Sequence, residues 1–152
     1  MNIKRAKLSD LDEILTLQKI AYKSEADIYN NYSIPPLTQT LDEIKDEFKT
    51  SIFLKVVENG KIIGSVRAVL IKDTTCYIGR LIIDPDFQNQ GIGTRLMDKI
   101  EKIFHECERY ELITGHMSEK NIKLYEKLGY RIFKTEKLTK NLNLVYLEKI
   151  NR

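Results

Sequence analysis

The sequence predicts a mixed α/β fold, a central mixed β-sheet of six to seven strands flanked by about four helices. Three observations predict it. Two β-rich runs, 52–58 and 61–71, are split by Asn59-Gly60, a hairpin pair because a type I′ turn needs positive φ at both central residues. From Ile92 to Cys107, apolar residues return every 3.6 positions through Leu96, Met97, Ile100, Ile103 and Phe104, the mark of one long amphipathic helix. Around these anchors the patterns alternate in the order β-α-α-β-β-β-α-β-α-β-β, with no repeat and no low-complexity linker.

Residues 3–7 alternate as a first strand, and Ser9-Asp10-Leu11-Asp12 resembles a helix start. Leu11, Ile14, Leu15, Leu17, Ile20 and Ala21 line one face of that first helix. From Tyr22 to Gln39 the periodicity is read as lost, and Pro35-Pro36 cannot lie in a helix interior. Thr40-Leu41-Asp42-Glu43 is a capping box opening a second helix with Leu41, Ile44 and Phe48 on one side. The hairpin follows, then a third strand at 76–83, which makes an antiparallel meander. After the long helix come a short strand at 111–114 and a helix capped by Ser118, with Ile122, Leu124, Tyr125 and Leu128 on it. Gly129 stops that helix as a left-handed C-cap, and strands at 130–135 and 142–148 close the chain. An exposed last strand would offer a surface for a homodimer.

Composition narrows the function. With 152 residues and 42% hydrophobic content, the chain reads as a single domain over 1–152 with one sizeable core. Its 25 basic and 22 acidic residues leave a net charge of +3, scattered along the chain, which argues against a nucleic-acid partner. No apolar run approaches the roughly 20 residues of a membrane span, and the N-terminus lacks the apolar stretch of a signal peptide. Cys76 and Cys107 form no CxxC pair and read as reduced core thiols. His105 and Cys107 are two apart on a helix and do not share a face, so no metal site is expected. The expectation is a soluble cytoplasmic protein.

The residues that carry chemistry lie at 81–94. A strand ends at Ile83, a polar loop containing Asp84 and Asp86 follows, and Gly91 and Gly93 open the long helix. Helix N-termini present unpaired N–H donors and the positive end of the helix dipole. Glycines there let an anion reach the backbone, so Gln88, Asn89, Gln90, Gly91, Ile92, Gly93 and Thr94 form a candidate diphosphate site. Taken alone, the two glycines also fit a tight turn into a helix. A Walker loop is excluded because no Gly-Lys-Ser or Gly-Lys-Thr occurs. A dinucleotide fingerprint is excluded because Leu96 stands where its third glycine belongs.

Gln88-x-x-Gly91-x-Gly93 after Leu81-x-Ile83-x-Pro85 resembles the acyl-CoA signature of the GNAT superfamily of N-acetyltransferases. Leu124-Tyr125-Glu126-Lys127-Leu128-Gly129-Tyr130 is similar to the second signature of that superfamily, at the expected separation. The resemblance covers essentially the whole chain. It implies acetyl-CoA as co-substrate, with backbone groups of Leu81, Ile82 and Ile83 pairing with the pantetheine amides and the pyrophosphate on 88–94. It also implies that the strand at 77–83 splays from the strand at 111–114. Asn121 would reach the pantetheine, while Ser118 stands where many relatives carry Asn. Tyr125 matches the tyrosine that, in many of these enzymes, protonates the departing CoA thiolate; by spacing alone it reads as a core tyrosine.

The general base is not legible in the sequence. Many members of the superfamily carry a carboxylate on the strand corresponding to 77–83, where this chain has Gly79 and Arg80. Gly79 is read as the mark of a bulge, and Arg80 as a fork for an acceptor carboxylate or phosphate, or a surface residue. His116 is a candidate base or a plain loop histidine. Tyr22, Tyr29 and Tyr32 lie in or beside the connection that builds the acceptor pocket in such folds, either as an aromatic wall for a small amine or as closure of the core. The resulting expectation is direct transfer of an acetyl group from acetyl-CoA to a small primary amine, without metal. The alternatives are a non-catalytic acyl-CoA sensor, favoured by the missing strand carboxylate, and an enzyme acting on a protein N-terminus or lysine.

Overall fold

The computed structural model describes residues Met1–Arg152. In chain order its elements are β1 (Asn2–Arg5), α1 (Leu11–Tyr29), α2 (Pro35–Thr38), α3 (Leu41–Thr50), β2 (Ile52–Glu58), β3 (Lys61–Ile71), β4 (Thr75–Ile83), α4 (Ile92–Ile103), β5 (Arg109–Gly115), α5 (Glu119–Lys127), β6 (Arg131–Lys137) and β7 (Asn143–Ile150). The strands form one seven-stranded sheet in the order β1-β2-β3-β4-β5-β7-β6. The expected hairpin is present: Asn59 and Gly60 both have positive φ, at 50° and 78°. The Thr40 capping box also forms, with Thr40 Oγ1 accepting from the Glu43 amide at 3.2 Å and the Glu43 carboxylate accepting from the Thr40 amide at 2.9 Å.

Both faces of the sheet are covered. Leu96, Met97 and Ile100 of α4 and Tyr125 of α5 pack with Val66, Ile78, Leu112 and Leu147 on one face. Leu11, Ile14 and Leu15 of α1 and Ile44 of α3 pack with Phe53, Ile62 and Ile82 on the other. Central strand β3 is therefore buried from Ile62 to Ala68 on both sides, its two polar side chains there, Ser65 and Arg67, being buried and hydrogen-bonded.

Strand β4 positions the site. It pairs parallel with β5 only at Thr75–Tyr77 against Arg109–Glu111. Beyond Tyr77, β4 follows β3 to Ile83 while β5 follows β7 to Gly115, so the sheet opens into a wedge. Ser65 stands opposite Ile82 and Arg67 opposite Gly79, which gives β4 one more residue than β3 and makes a bulge. The left-handed residue of that bulge is Arg80, at φ 51°, and not Gly79, which keeps its place in the ladder. Gly79 instead lies beneath the Tyr77 ring, 3.4 Å from where a Cβ would be.

Other expectations need correction. α1 does not end near Ala21 but runs to Tyr29, because Gln18, Tyr22, Ala26 and Tyr29 keep the inward helical spacing and Asn30 ends the helix in left-handed conformation, φ 49°. α4 is shorter than 92–107: Phe104 leaves helical geometry, and the chain turns there to enter β5 with its apolar side chains still on the core. Pro35 and Pro36 do begin a helix, but as its first turn, where the missing N–H donor costs nothing. Ser118 holds the N-cap position of α5 without bonding a helix amide, since its hydroxyl is used elsewhere. The last strand, β7, is interior, paired with β5 and β6; the edges of the sheet are β6 and β1. No helix is long and apolar enough to cross a membrane.

Candidate active site

The wedge between β4 and β5 holds a cavity of about 1180 Å³, walled by these two strands, α1, the N-terminal turn of α4 and α5. Splaying two strands leaves edge N–H and C=O groups free along β4 from Ile78 onward and along the facing side of β5, a slot into which a polyamide chain can pair as an added strand. Leu81, Ile82 and Ile83 all line it. The gap persists because each strand is held on its outer side by a continuous partner, β3 and β7 respectively.

At one end of the wedge the chain turns from β4 into α4. Asp84 anchors the turn: its carboxylate accepts from the Asp86 amide at 2.9 Å and pairs with Lys61 at 3.3 Å, so Asp84 is a structural turn residue. Asn89 and Gly91, at φ 64° and 77°, then curl the backbone around an open concavity. None of the amides from Gln88 to Thr94 donates to an acceptor in the protein; the first bond after the loop runs from Arg95 N to Gly91 O, at 3.1 Å. A Cβ at Gly91 would meet nothing within 4 Å, so the space beside the backbone is open. A run of unsatisfied donors at the positive end of a twelve-residue helix is a fit for a diphosphate. Gln88, Asn89, Gly91, Ile92, Gly93 and Thr94 line the cavity, whereas Gln90 is exposed and does not line it.

In the middle of the wedge stands Tyr125. Its ring is buried edge-to-face on Tyr130, with centroids 6.1 Å apart, and its hydroxyl makes no hydrogen bond to the protein and faces the cavity. Burial, seconded by the neighbouring Tyr22, Glu25 and Tyr77, pushes its pKa well above that of a free phenol. It is therefore a neutral O–H donor at any physiological pH.

The residue that sequence reasoning missed is Glu25. It lies on the part of α1 that was read as irregular, and the helix carries it into the cavity on the same face as Gln18, Tyr22 and Tyr29. The hydroxyl of Ser118 donates to its carboxylate, and Asn121 Nδ2 lies 3.5 Å from the other oxygen. Tyr29 completes the chain: its oxygen accepts from the Met117 amide at 2.8 Å, and its hydroxyl lies 3.3 Å from Ser118 Oγ. The position next to Ser118 is thus a relay that fixes a carboxylate. Asn121 takes part in it besides lining the cavity. The spacing Gln18-Tyr22-Glu25-Tyr29 was the available signal.

The remaining candidates divide. Tyr29 lines the cavity and is buried against the end of β5, where Gly115 leaves room for its ring. Tyr32 is 55% exposed, bonded to Asp27 and outside the cavity. His116 is likewise outside: its Nδ1 accepts from the Asn143 amide at 2.9 Å and its ring packs on Tyr29, so it fastens β5 to β7. Arg80 lines the cavity next to the Tyr22 phenol. Behind it, Arg67 is buried, its two terminal nitrogens bonded to Glu47, Gln18 and Gln39 while its Nε has no acceptor.

Comparison with known proteins gives the same fold. A protein of Streptococcus mutans UA159, smu.2055, superposes with a TM-score of 0.86 at 17% identity, covering 100% of both chains. The PaiA N-acetyltransferase of Thermoplasma acidophilum, solved in complex with coenzyme A, gives 0.78 at 19% identity over 99% of each chain. The ribosomal-protein-S18-alanine N-acetyltransferase of Escherichia coli gives 0.77 at 16% identity, covering 99% of this chain and 93% of that one. In sequence, the chain is 29% identical over 134 residues to the UPF0157 protein YqkA of Bacillus subtilis (strain 168); the match takes in 87% of this chain but only 38% of that relative. Residues 11–130, from the start of α1 through the turn after α5, match the model of the acetyltransferase (GNAT) family, and the chain belongs to that family.

Proposed function

We propose that this protein transfers the acetyl group of acetyl-CoA to the primary amine of a small molecule. One observation carries the reading: the unsatisfied amides of 88–94 open directly into a wedge that also holds a neutral buried phenol, Tyr125, and a carboxylate, Glu25. The diphosphate of acetyl-CoA binds those amides, and its pantetheine arm pairs with the free edge of β4 at Leu81–Ile83. An ammonium acceptor gives a proton to Glu25, and the free amine attacks the thioester carbonyl carbon. The C–S bond then breaks: the thiolate takes the Tyr125 proton while the nitrogen sheds its second proton back to the phenol, so Tyr125 ends neutral, as its raised pKa requires, and Glu25 returns its proton to solvent. No covalent enzyme intermediate is needed. Glu25 on α1 supplies the carboxylate that β4 lacks, which favours an enzyme over a sensor that has lost its chemistry.

The test is calorimetric titration of acetyl-CoA into the wild type and Gly91→Glu. Micromolar binding, lost in Gly91→Glu through a carboxylate set in the anion cradle, supports the reading. Gly91→Asn, which tolerates left-handed backbone and adds no charge, retains binding within about tenfold. A folded wild type that does not bind acetyl-CoA refutes it.

A further inference from the structure

Arg80 is placed with unusual care for a residue with no carboxylate partner and only the Tyr22 phenol beside it. It occupies the bulge of β4 in left-handed conformation, φ 51°, a geometry a bulky L-residue adopts only when its surroundings impose it. Its side chain is half-buried in the cavity wall, and its Nε is fully buried with no hydrogen-bond acceptor. It makes no ion pair. Glu47 is taken by Arg67, and the Arg67 guanidinium repels that of Arg80. Glu25, the carboxylate of the cavity, is held instead by the neutral Ser118 and Asn121. Both Glu25 and Arg80 act on the Tyr22 phenol, in opposite directions, so Tyr22 lies between the influence of a negative and a positive pole.

A guanidinium withheld from every protein anion, its donors partly out of water, is an incomplete site; a planar oxyanion completes it, two N–H groups to two oxygens. The diphosphate of the co-substrate has its own cradle at the other end of the wedge, and the thioester carries no anion. The missing anion therefore belongs to the acceptor. We infer that the acceptor is an amino carboxylate, its carboxylate on Arg80 and its amine toward Glu25 and Tyr125. This rests on the acetyl-transfer reading and narrows its substrate class: simple alkyl amines and polyamines lack the group Arg80 requires.

The experiment measures CoA release with a panel of L-α-amino acids and ω-amino acids, each beside its own carboxamide, for wild type, Arg80→Gln and Arg80→Lys. Folding is checked by circular dichroism, and acetyl-CoA binding by calorimetry on the same samples. For the best amino acid, kcat/KM exceeds that of its carboxamide at least 30-fold in the wild type, carried by KM. In Arg80→Gln the ratio falls to within threefold because KM rises for the carboxylate alone, and Arg80→Lys restores part of it. Equal use of carboxylate and carboxamide by the wild type, or an unchanged ratio in Arg80→Gln, overturns the inference and leaves acetyl transfer standing. A fall in kcat that is the same for both series also overturns it, since Arg80 would then act on the thioester. Absence of acetyl-CoA binding overturns the acetyl-transfer reading itself; binding without transfer to any amino acid, but with transfer to an alkyl amine or polyamine run alongside, overturns the inference alone.

Discussion

Replacing Tyr125 by Phe removes one oxygen atom and separates a chemical role from a structural one. The ring, 7% exposed, keeps its edge-to-face contact with Tyr130, and no protein hydrogen bond is lost. Stability should therefore change by less than about 1 kcal/mol. The catalytic cost is larger. Proton donation by a placed side chain is worth roughly 10²–10⁴ in rate. A thiolate of pKa ~8.5 is a tolerable leaving group without it, which places the loss at the low end, about 100-fold in kcat or about 2.7 kcal/mol. Neither the loop at 88–94 nor the edge of β4 is touched, so acetyl-CoA affinity should stay within about threefold. CoA release is followed with a thiol reagent on the best amine of a screening panel, alongside calorimetry and urea unfolding. A kcat within threefold of wild type refutes the acid role. Parallel losses of kcat and acetyl-CoA affinity refute it differently: the phenol would then hold the substrate and not protonate its product.

Three other outcomes follow from the same geometry. Glu25→Gln keeps an acceptor for Ser118 but loses the charge, so kcat should fall about 10²-fold with the urea midpoint little changed; a loss of folding with activity per folded molecule intact would make Glu25 only a strut. Burial pushes the Cys76 thiol up to about 12 and raises that of Cys107 as well, so the native protein should leave a thiol reagent at pH 8 unreacted for minutes and consume two equivalents in urea. Burial also raises Tyr125 and Tyr130, the latter helped by Glu101, above the ordinary phenol value of 10.0. Above that pH the unfolded chain gives up protons that the folded one keeps, so these two phenols leave stability unchanged below about pH 10 and lower it beyond by up to about 1.4 kcal/mol per pH unit each, on top of the fall that the two thiols begin near pH 9. A urea midpoint unchanged from pH 9 to pH 11 would contradict the burial of these rings.

What the sequence made legible was whatever a short local pattern encodes. Asn59-Gly60, Thr40 with Glu43, and the glycines at 91 and 93 each act through their own backbone angles or neighbouring amides, so no distant contact was needed to read them. The bulge was legible only to within one residue. Gly79 is the residue that tolerates left-handed backbone most easily, yet Arg80 adopts it, because the pairing with β3, a strand distant in sequence, keeps Gly79 in the ladder opposite Arg67.

The carboxylate of the site was lost for a different reason, and the reason bears on the acceptor. An apolar periodicity search ends α1 near Ala21 because the inward face changes character there: above it are Leu11, Ile14 and Leu17, below it Gln18, Tyr22, Glu25 and Tyr29. The helix does not stop; the environment it faces does. Its first half lies on the sheet, where only apolar side chains fit, and its second half overhangs the wedge, where polar atoms meet a cavity. A helix that turns polar on its buried side while keeping its spacing is thus the sequence mark of a wall. Arg80, across the same space on β4, is the corresponding break in an otherwise apolar strand run of Ile78, Leu81, Ile82 and Ile83. The two departures from pattern face one cavity and carry opposite charge, which is what an acceptor with both an amine and a carboxylate demands of the walls that hold it.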